Sequence, residues 1–350
     1  MLKLCLSSIK NIIRRVIIIN IIIEPASSHY LSNKLFDLDD KVLNRDGTLL
    51  PFFRLKQHLE SYGKTIITVD MYDDSYVEPF IFISLSEPRI AQKYNDIMSR
   101  ATKTILVLME PELVRLRSYA ELNRYGGQFD QIYCHNEKQI PAHLRLKYRH
   151  LFFPQASRTV SQTNVDRLNK CVIIAGCHVN YFNKNENYSE RIRAVANLSI
   201  HDFVDLFGNG WDKGGLRLAL NPVFRRYKSR LMASYKGSVI DKSACYSRYD
   251  FAICFENQDS PGYVTEKVFD CLLAGCIPVY KGAPDIFHYV PRECYIDFNE
   301  FRSYSDLVSF LKNMSLNLRQ KYRNAAQEYI SSNAYLPFYD SIVNILNDAE

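Results

Sequence analysis

Two glutamates, an asparagine and a lysine lie close together in residues 255–267, which read FENQDSPGYVTEK. Apolar runs flank the segment, DFAICF before it and CIPVYKG after it, and both are typical of buried parallel strands. Val264, Val268 and Leu272 recur at helical spacing, so the sequence predicts a crossover helix that begins inside the segment. The N-terminus of a helix carries free N–H groups and the positive end of the helix dipole, which together favour a bound anion.

The polar side chains at this predicted helix start have the chemistry to hold a nucleoside diphosphate. Tyr263, Glu266, Lys267 and Asp270 fall on the side opposite the apolar stripe. Lys267 adds a full positive charge that can meet a phosphate, and Glu266 can accept hydrogen bonds from the hydroxyls of a ribose or a sugar. A surface helix with an exposed Glu–Lys pair would show the same spacing, so these residues alone leave both interpretations open.

The elements that would position this segment form two α/β units. Segments typical of strands and of helices alternate along the chain, which predicts two doubly wound parallel sheets in tandem, each covered by helices on both faces. The length of 350 residues also fits two domains. We place them at 1–160 and 161–335, with a polar linker near 155–170, and expect a helix at 336–350 that packs back on the first domain. Ligands of such sheets bind at the carboxyl ends of the strands, so a cleft between the two facing edges is the expected site.

Composition and cysteine usage bear on partners and compartment. The formal net charge of +6 favours an anionic ligand or an anionic membrane surface without requiring either. The nine cysteines include no C-x-x-C pair, and we expect reduced, buried thiols in a cytoplasmic protein rather than disulfides or a zinc site. Residues 16–23 (VIIINIII) are too short an apolar run to span a bilayer and favour a first strand, with a signal peptide or a membrane anchor as the alternative.

The polar segment and the strands beside it also follow a family pattern. Read as FxxCFEN, GYVTEKxxDxxxAG and IPVYxG, residues 251–282 resemble the signature of the α-1,3/α-1,4-fucosyltransferases, which form glycosyltransferase family 10. Looser similarity extends over about residues 170–300 and reaches the N-terminal half only in patches. The resemblance implies the architecture of that family, GT-B, in which two Rossmann-like domains face each other across a central cleft.

The resemblance also implies an inverting transfer of L-fucose from GDP-β-L-fucose to a hydroxyl, such as O3 of GlcNAc or Glc, of a glycan acceptor. It implies Glu110 as the general base, with Glu112 as the rival. A phosphate-binding arginine is implied at Arg191, with Arg193 as the spare. The implied donor site contains Arg191, Glu256, Asn257, Tyr263, Glu266 and Lys267.

No metal and no other cofactor is expected. Lys267 and Arg191 would meet the negative charge that grows on the leaving diphosphate. The D-x-D triplet at 37–39 lies in a loop-like stretch of the other domain, and we interpret it as surface. The expected partners are GDP-fucose and an oligosaccharide or lipid-linked glycan acceptor, with no nucleic acid, in the cytoplasm and peripherally at the inner membrane face.

Two other classes of function remain open at this point. One is a GT-B transferase that uses a different nucleotide sugar, and the other is a non-catalytic protein that binds a nucleotide sugar or a glycan. A dinucleotide-dependent oxidoreductase would need G-x-G-x-x-G after an early strand, and the sequence contains no such motif.

Overall fold

Two parallel β-sheets, one in each half of the chain, form the framework of the protein. All the strand pairs in the described part of the chain are parallel, so helices must cover both faces of each sheet and the strands must be apolar throughout. This is the α/β arrangement that the alternating segments predict. The structure is a computed structural model that describes residues 19–75, 78–160, 166–178, 185–212 and 221–347.

The N-terminal sheet is built from six strands. They are β1 (Asn20–Glu24), β2 (Ile66–Thr68), β3 (Phe80–Ser84), β4 (Lys103–Val107), β5 (Gln131–Cys134) and β6 (Tyr148–His150). They are ordered β2-β1-β3-β4-β5-β6. Ile21, Ile22 and Ile23 are each 1% exposed, as a sheet covered on both faces requires. The helices of this half are α1 (Leu50–Glu60), α2 (Pro88–Ala91), α3 (Asn95–Arg100) and α4 (Leu116–Tyr125).

The C-terminal sheet is built from five strands. They are β7 (Leu168–Ile174), β8 (Val204–Phe207), β9 (Tyr249–Phe255), β10 (Ile277–Lys281) and β11 (Ile296–Asp297), in the order β11-β10-β9-β7-β8. The helices that follow β7 in the chain are α5 (Tyr188–Leu198), α6 (Pro222–Ser234), α7 (Lys242–Tyr246), α8 (Glu266–Leu273), α9 (Tyr304–Asn313), α10 (Leu316–Ser331), α11 (Leu336–Tyr339) and α12 (Ser341–Asn347).

Both sheets are wound in the same way. In each, the chain passes from the first strand to a neighbour on one side and then to a neighbour on the other, so β1 lies between β2 and β3 and β7 lies between β8 and β9. Connections that leave in opposite directions open a crevice at the carboxyl ends of the strands on either side of this switch point. In the second half of the chain, the loops after β7 and β9 therefore lie where a ligand is expected.

One predicted strand differs slightly in its bounds from the observed one. The strand predicted at 16–23 is present at Asn20–Glu24, and residues 16–18 lie outside the described residues. The crossover helix predicted in the FENQDSPGYVTEK segment is α8, and Val264, Val268 and Leu272 are buried as predicted.

The end of the chain returns to the first half of the molecule. In α12, Ile342, Ile345 and Leu346 are buried in the same apolar cluster as Leu55 of α1. The guanidinium of Arg54 donates to the carbonyl oxygens of residues 155 and 339, both at 2.6 Å, and so ties the two connections between the halves to α1. The chain thus passes between the two sheets once after β6 and again after α10.

Eight cysteines lie in the described part of the chain, and all are free thiols, six of them buried; Cys5 lies outside it. None of the described helices combines the length and the apolarity that crossing a bilayer requires.

Candidate active site

A cavity of about 1320 Å³ lies between the two sheets, where the carboxyl ends of their strands face each other. The second domain lines it with the loops after β7 and β8, the end of β9 and the start of α8, and the first domain with the segments after β4 and β6 and before α1. The cleft predicted from the two facing sheet edges is therefore present. Among the implied site residues, those that line it are Glu110, Arg191, Asn257, Glu266 and Lys267.

Lys267 provides a cation at the start of α8. Its Nζ atom donates to Thr265 Oγ1 at 3.0 Å and lies 3.3 Å from carboxylate oxygens of both Glu256 and Glu266. Burial lowers the pKa of Lys267, but the two carboxylates outweigh burial and raise that pKa above its usual value. The ammonium group is therefore charged at neutral pH, at a helix N-terminus that also favours an anion.

Arg191 provides a second cation, from α5. Its side chain is 5% exposed, and Nε and Nη2 donate to the carbonyl oxygen of Phe255, while Nη2 also donates to Asn257 Oδ1 at 2.9 Å. Burial lowers the pKa of Arg191, but the pKa of a guanidinium is so high to begin with that the group keeps its charge at neutral pH. Among the described residues Nη1 has no hydrogen-bond partner, so this nitrogen can meet a phosphate oxygen.

Arg193, the spare candidate, lies elsewhere. Its side chain is 43% exposed, pairs with Glu190 at 2.8 Å and does not line the cavity. The two arginines are two positions apart on α5. Each residue of an α-helix turns by about 100°, so their side chains point in directions that differ by about 200°. Only Arg191 faces the cavity.

Glu266 contributes an ionised acceptor to the cavity. Burial alone would raise the pKa of Glu266, but Lys267 and Lys242 lower it to about 2. Asp270 follows one turn later on α8 and also lines the cavity. Burial raises the pKa of Asp270 to about 7 against the opposing effect of Lys242. The carboxylate of Glu266 can therefore accept hydrogen bonds from sugar hydroxyls across the whole neutral range.

Glu256, which the resemblance implies in the donor site, does not line the cavity. Its side chain is fully buried, its Oε1 accepts the N–H of Thr265 at 2.8 Å, and its Oε2 accepts the Thr265 hydroxyl at 2.7 Å. Glu256 therefore joins the end of β9 to the start of α8 and acts as a support. Burial raises the pKa of this carboxyl, as expected for a group removed from water.

Tyr263 does not line the cavity either, because its ring turns into the domain interface. The residue is 1% exposed, and its ring lies edge-on to His135 of the first domain at 5.1 Å between centroids. Its hydroxyl donates to Glu110 Oε2 at 2.9 Å. Burial raises the pKa of Tyr263 well above its usual range, with the nearby carboxylates adding to the shift, so the phenol remains a hydrogen-bond donor.

Glu110 faces the two cations of the second domain from the first domain. It follows β4 by three residues, lines the cavity, and accepts the hydroxyl of Tyr119 at its backbone oxygen at 3.0 Å. Glu112, the rival general base, is exposed and does not line the cavity. Of the two glutamates, only Glu110 can reach a substrate held in the cleft.

Lys242 was missed by the reasoning from sequence. Its Nζ atom lies 3.3 Å from Asp46 of the first domain and 3.5 Å from Asp270, and it lines the cavity beside Arg45. No local pattern singles out a lysine at the start of the short helix α7, because its partners come from distant parts of the chain. This cluster joins the two domains at another part of the cavity wall.

Side-chain clusters suited to a metal are absent from the described residues: no group of three or more His, Cys, Asp or Glu is arranged to hold one. Asp37 and Asp39 of the D-x-D triplet are exposed and do not line the cavity, in keeping with their interpretation as surface. The cavity instead presents two cations and a helix N-terminus on one side and a carboxylate on the other.

The second domain also matches a known family. The family model described as glycosyltransferase family 10 (fucosyltransferase), C-terminal part, matches residues 175–329. These residues are a glycosyltransferase family 10 domain. The family 10 domain contains α5, β9, α8 and β10, and therefore the cavity wall with Arg191 and Lys267.

Individual relatives agree with this assignment over limited stretches. The chain is 31% identical over 75 residues to an α-(1,3)-fucosyltransferase, FucT, of Helicobacter pylori (21% of this chain and 16% of that one). It is 41% identical over 125 residues to human α-(1,3)-fucosyltransferase 4 (35% and 19%) and 27% identical over 152 residues to bovine α-(1,3)-fucosyltransferase 7 (43% and 37%). The matched stretches thus span well under half the length of these relatives.

Solved structures with the same fold cover the whole architecture. A crystal structure of an α1,3-fucosyltransferase matches with a TM-score of 0.51 at 14% identity, over 95% of this chain and 89% of that one. The glycosyltransferase WaaG, described as involved in lipopolysaccharide biosynthesis, matches with a TM-score of 0.53 at 12% identity, over 93% and 99%. These likenesses confirm the GT-B fold outside as well as inside the family 10 domain.

Proposed function

We propose that the protein is an inverting α-1,3-fucosyltransferase that moves L-fucose from GDP-β-L-fucose to a hydroxyl of a glycan acceptor. The match to the fucosyltransferase family supports the choice of GDP-fucose as the donor. The observation that carries the proposal is the placement of Glu110 on one wall of the cavity and of Lys267, Arg191 and the start of α8 on the other. A glycosyl transfer needs a proton acceptor beside the attacking hydroxyl and positive charge beside the leaving diphosphate. A base and phosphate-binding cations on opposite walls can provide the two.

The chemistry follows from where charge develops. The acceptor oxygen forms a bond to C1 of fucose, the bond from C1 to the β-phosphate oxygen breaks, and GDP leaves with the electron pair. The acceptor proton passes to Glu110, and a positioned general base of this kind contributes about 10²–10⁴-fold in rate. Lys267 and Arg191 stabilise the growing charge on the diphosphate, which is strongest in the transition state. Attack from the face opposite the leaving group inverts C1 and produces an α linkage.

In this proposal the residues that line the cavity have separate roles in binding the donor. Arg191, Lys267 and the α8 N-terminus bind the diphosphate, and Glu266 binds hydroxyls of the ribose or the sugar. Asn257 lines the cavity and accepts a hydrogen bond from Arg191. These roles need no bound metal, since protein cations meet the charge of the leaving group.

We also propose an oligosaccharide or lipid-linked glycan with an accessible O3 of GlcNAc or Glc as the acceptor, and a cytoplasmic location with peripheral contact to the inner membrane face. The free thiols support a reducing compartment. The net charge of +6 supports contact with an anionic surface. Separation of cell extracts into soluble and membrane fractions, with and without high salt, tests the location.

The deciding experiment is a transfer assay on a glycan array with GDP-fucose as donor. We expect a product heavier by one fucose residue, release of GDP, and no product with UDP-glucose or UDP-GlcNAc. Product from one of those donors instead would support the rival transferase. GDP-fucose binding without any product on any acceptor would support the non-catalytic binding protein.

A further inference from the structure

The hydroxyl of Tyr263 is aimed at the general base and not at the cavity. Tyr263 belongs to the donor domain, yet it does not line the cavity, and its hydroxyl donates to Glu110 Oε2 at 2.9 Å. Among the described residues Glu110 Oε1 has no hydrogen-bond partner. One carboxylate oxygen is therefore held by a phenol while the other is available for an acceptor proton.

The described residues of the acceptor domain hold the backbone around Glu110 and donate no hydrogen bond to its carboxylate. The ring of His135 lies 2.6 Å from the carbonyl oxygen of Met109, and the hydroxyl of Tyr119 donates to the carbonyl oxygen of Glu110 at 3.0 Å. A glutamate with a fixed backbone still has three rotatable side-chain bonds, and each prefers more than one torsion angle. Within the described part of the chain, the hydrogen bond from Tyr263 is the contact that selects among these side-chain orientations.

A chain of hydrogen bonds continues from this contact into the donor site. Arg191 Nη2 donates to Asn257 Oδ1 at 2.9 Å, Asn257 Nδ2 donates to the Tyr263 hydroxyl at 3.3 Å, and Tyr263 donates to Glu110. In each of the three bonds the donor lies on the side of the guanidinium and the acceptor on the side of the carboxylate. Bonds that run in one direction polarise each other, so each is strengthened by its neighbours.

We infer that Tyr263 is a positioning residue for the base: the donor domain orients, through this hydroxyl, the carboxylate that the acceptor domain supplies. The inference rests on the proposed function, because it concerns the proton acceptor of that reaction. It replaces the implied role of Tyr263 as a donor contact. The base is aligned only when the two domains are in contact.

The test compares Tyr263→Phe with Tyr329→Phe. Each change removes one buried phenol hydroxyl, and that of Tyr329 donates to a backbone carbonyl at 2.8 Å outside the cavity. We expect Tyr263→Phe to lower kcat roughly 10- to 100-fold, since a misplacement of about 1 Å costs a factor of this size, and to leave KM for GDP-fucose within about twofold. Tyr329→Phe should keep the wild-type kcat, and thermal melting should show that both variants fold.

A double-mutant cycle isolates the action through Glu110. If Tyr263 acts only by orienting this carboxylate, Tyr263→Phe should have no further effect on kcat in a Glu110→Gln background. Tyr263→His, which retains a ring N–H donor, should recover part of the lost kcat and also serves if the Phe variant does not fold.

The outcomes separate the inference from the proposed function. A raised KM for GDP-fucose at unchanged kcat in Tyr263→Phe would return Tyr263 to the donor site and overturn the inference, as would an equal loss of kcat in the Glu110→Gln background. A wild-type protein that transfers no fucose would overturn the proposed function and the inference together.

Discussion

The phenol oxygen of Tyr263 lies 2.9 Å from Oε2 of Glu110, although the two residues are 153 positions apart in the chain. The contact crosses from the family 10 domain to the opposite domain at the wall of the cavity. It places a residue of the family signature directly against the carboxylate that faces the donor-side cations. Substitutions around it therefore test the base, the diphosphate site and the domain interface separately.

Replacing Glu110 with Gln should abolish proton acceptance while the side chain keeps its shape and its hydrogen bond from Tyr263. A general base contributes about 10²–10⁴-fold, so turnover should fall by at least roughly 100-fold. The affinity for GDP should remain near that of the wild type, because the cations lie on the other domain. Steady-state kinetics and calorimetric titration measure the two effects. Glu112→Gln is the control, since Glu112 is exposed outside the cavity, and an inactive Glu112→Gln beside an active Glu110→Gln would exchange the two roles.

Replacing Lys267 with Ala should weaken GDP binding. The loss of a charge-assisted contact to phosphate costs about 1.5–3 kcal/mol, which corresponds to a dissociation constant raised by roughly 10-fold or more. Arg193→Ala is the matched control, because that cation pairs with Glu190 and lies outside the cavity. Equal GDP affinities of the Lys267→Ala and wild-type proteins in calorimetric titration would remove Lys267 from the donor site.

Arg191→Ala should weaken GDP binding to a similar extent and should also lower stability. The guanidinium holds the carbonyl oxygen of Phe255 at the end of β9, so its removal leaves a buried acceptor unpaired at a cost of about 1–3 kcal/mol. Thermal melting beside the GDP titration separates the two losses. A variant with normal stability and normal GDP affinity would contradict both roles of Arg191.

Removal of divalent metal should leave the transfer reaction largely intact. The leaving diphosphate is met by Lys267, Arg191 and a helix N-terminus, so a metal would have little charge left to neutralise. Turnover measured after chelation with EDTA, with the chelator then removed, is the readout. Complete loss that added Mn²⁺ or Mg²⁺ restores would mean that a metal performs part of the work assigned here to the two cations.

Replacing Gly262 with Ala should damage the interface that positions Tyr263. Gly262 has φ +73°, and a Cβ atom there would lie 2.3 Å from the carbonyl oxygen of His135 in the opposite domain. Gly63→Ala is the control, because Gly63 has φ +69° but nothing within 4 Å of the added atom. Both should carry the cost of a left-handed residue, about 1–2 kcal/mol. Gly262→Ala alone should lose further stability and most of its turnover, and equal melting temperatures for the two variants would contradict the close approach.

The stability of the protein should depend on Asp270 in a defined pH window. Burial raises the pKa of Asp270 from 3.8 to about 7 in the folded protein. Between these values the folded state binds more protons than the unfolded state, so the contribution of Asp270 to stability falls as the pH rises from about 4 to about 7. Asp270→Asn replaces the carboxyl with a group that does not ionise, so the variant lacks this loss of stability with rising pH. Urea unfolding should show the variant more stable than the wild type near about pH 8, by at most about 1.4 kcal/mol for each pH unit between the unfolded and folded pKa values, and little different near about pH 4.

The ion pair between Asp270 and Lys242 opposes this gain. Lys242 keeps Asp46 as a partner at 3.3 Å in the variant, so loss of the ion pair to Asp270 offsets only part of the gain. A variant that is less stable than the wild type at both pH values would show that the pair with Lys242 outweighs the burial of the carboxylate.

Local patterns predicted the parts of the fold that repeat along the chain. The apolar spacing of Val264, Val268 and Leu272 placed the buried face of α8, and apolar runs located β1, β9 and β10 to within a few residues. Such patterns report which side chains face a core, and the rules for parallel sheets then place the cleft. The cavity-lining positions of Lys267 and Glu266 follow from the same rules, whereas Arg191 was implied by the family resemblance.

The roles of Glu256, Tyr263 and Lys242 could not be predicted in this way. Each depends on a partner that the fold brings close: Thr265 across a loop, Glu110 across the domain interface, and Asp46 from a turn before α1. A polar residue in a motif has the same local pattern whether it faces a ligand or supports its neighbour. Only the three-dimensional arrangement separates the two.

The two passages of the chain between the sheets limit how the halves can move. One passage follows β6 and the other lies between α10 and α12, whose Ile342 and Ile345 are anchored in the core of the first domain. Two bodies joined at two separate points can rotate easily only about the line through those points, whereas twisting would stretch one of the joints. A rotation about this line would change the width of the cavity between Glu110 and Lys267 without sliding one wall along the other.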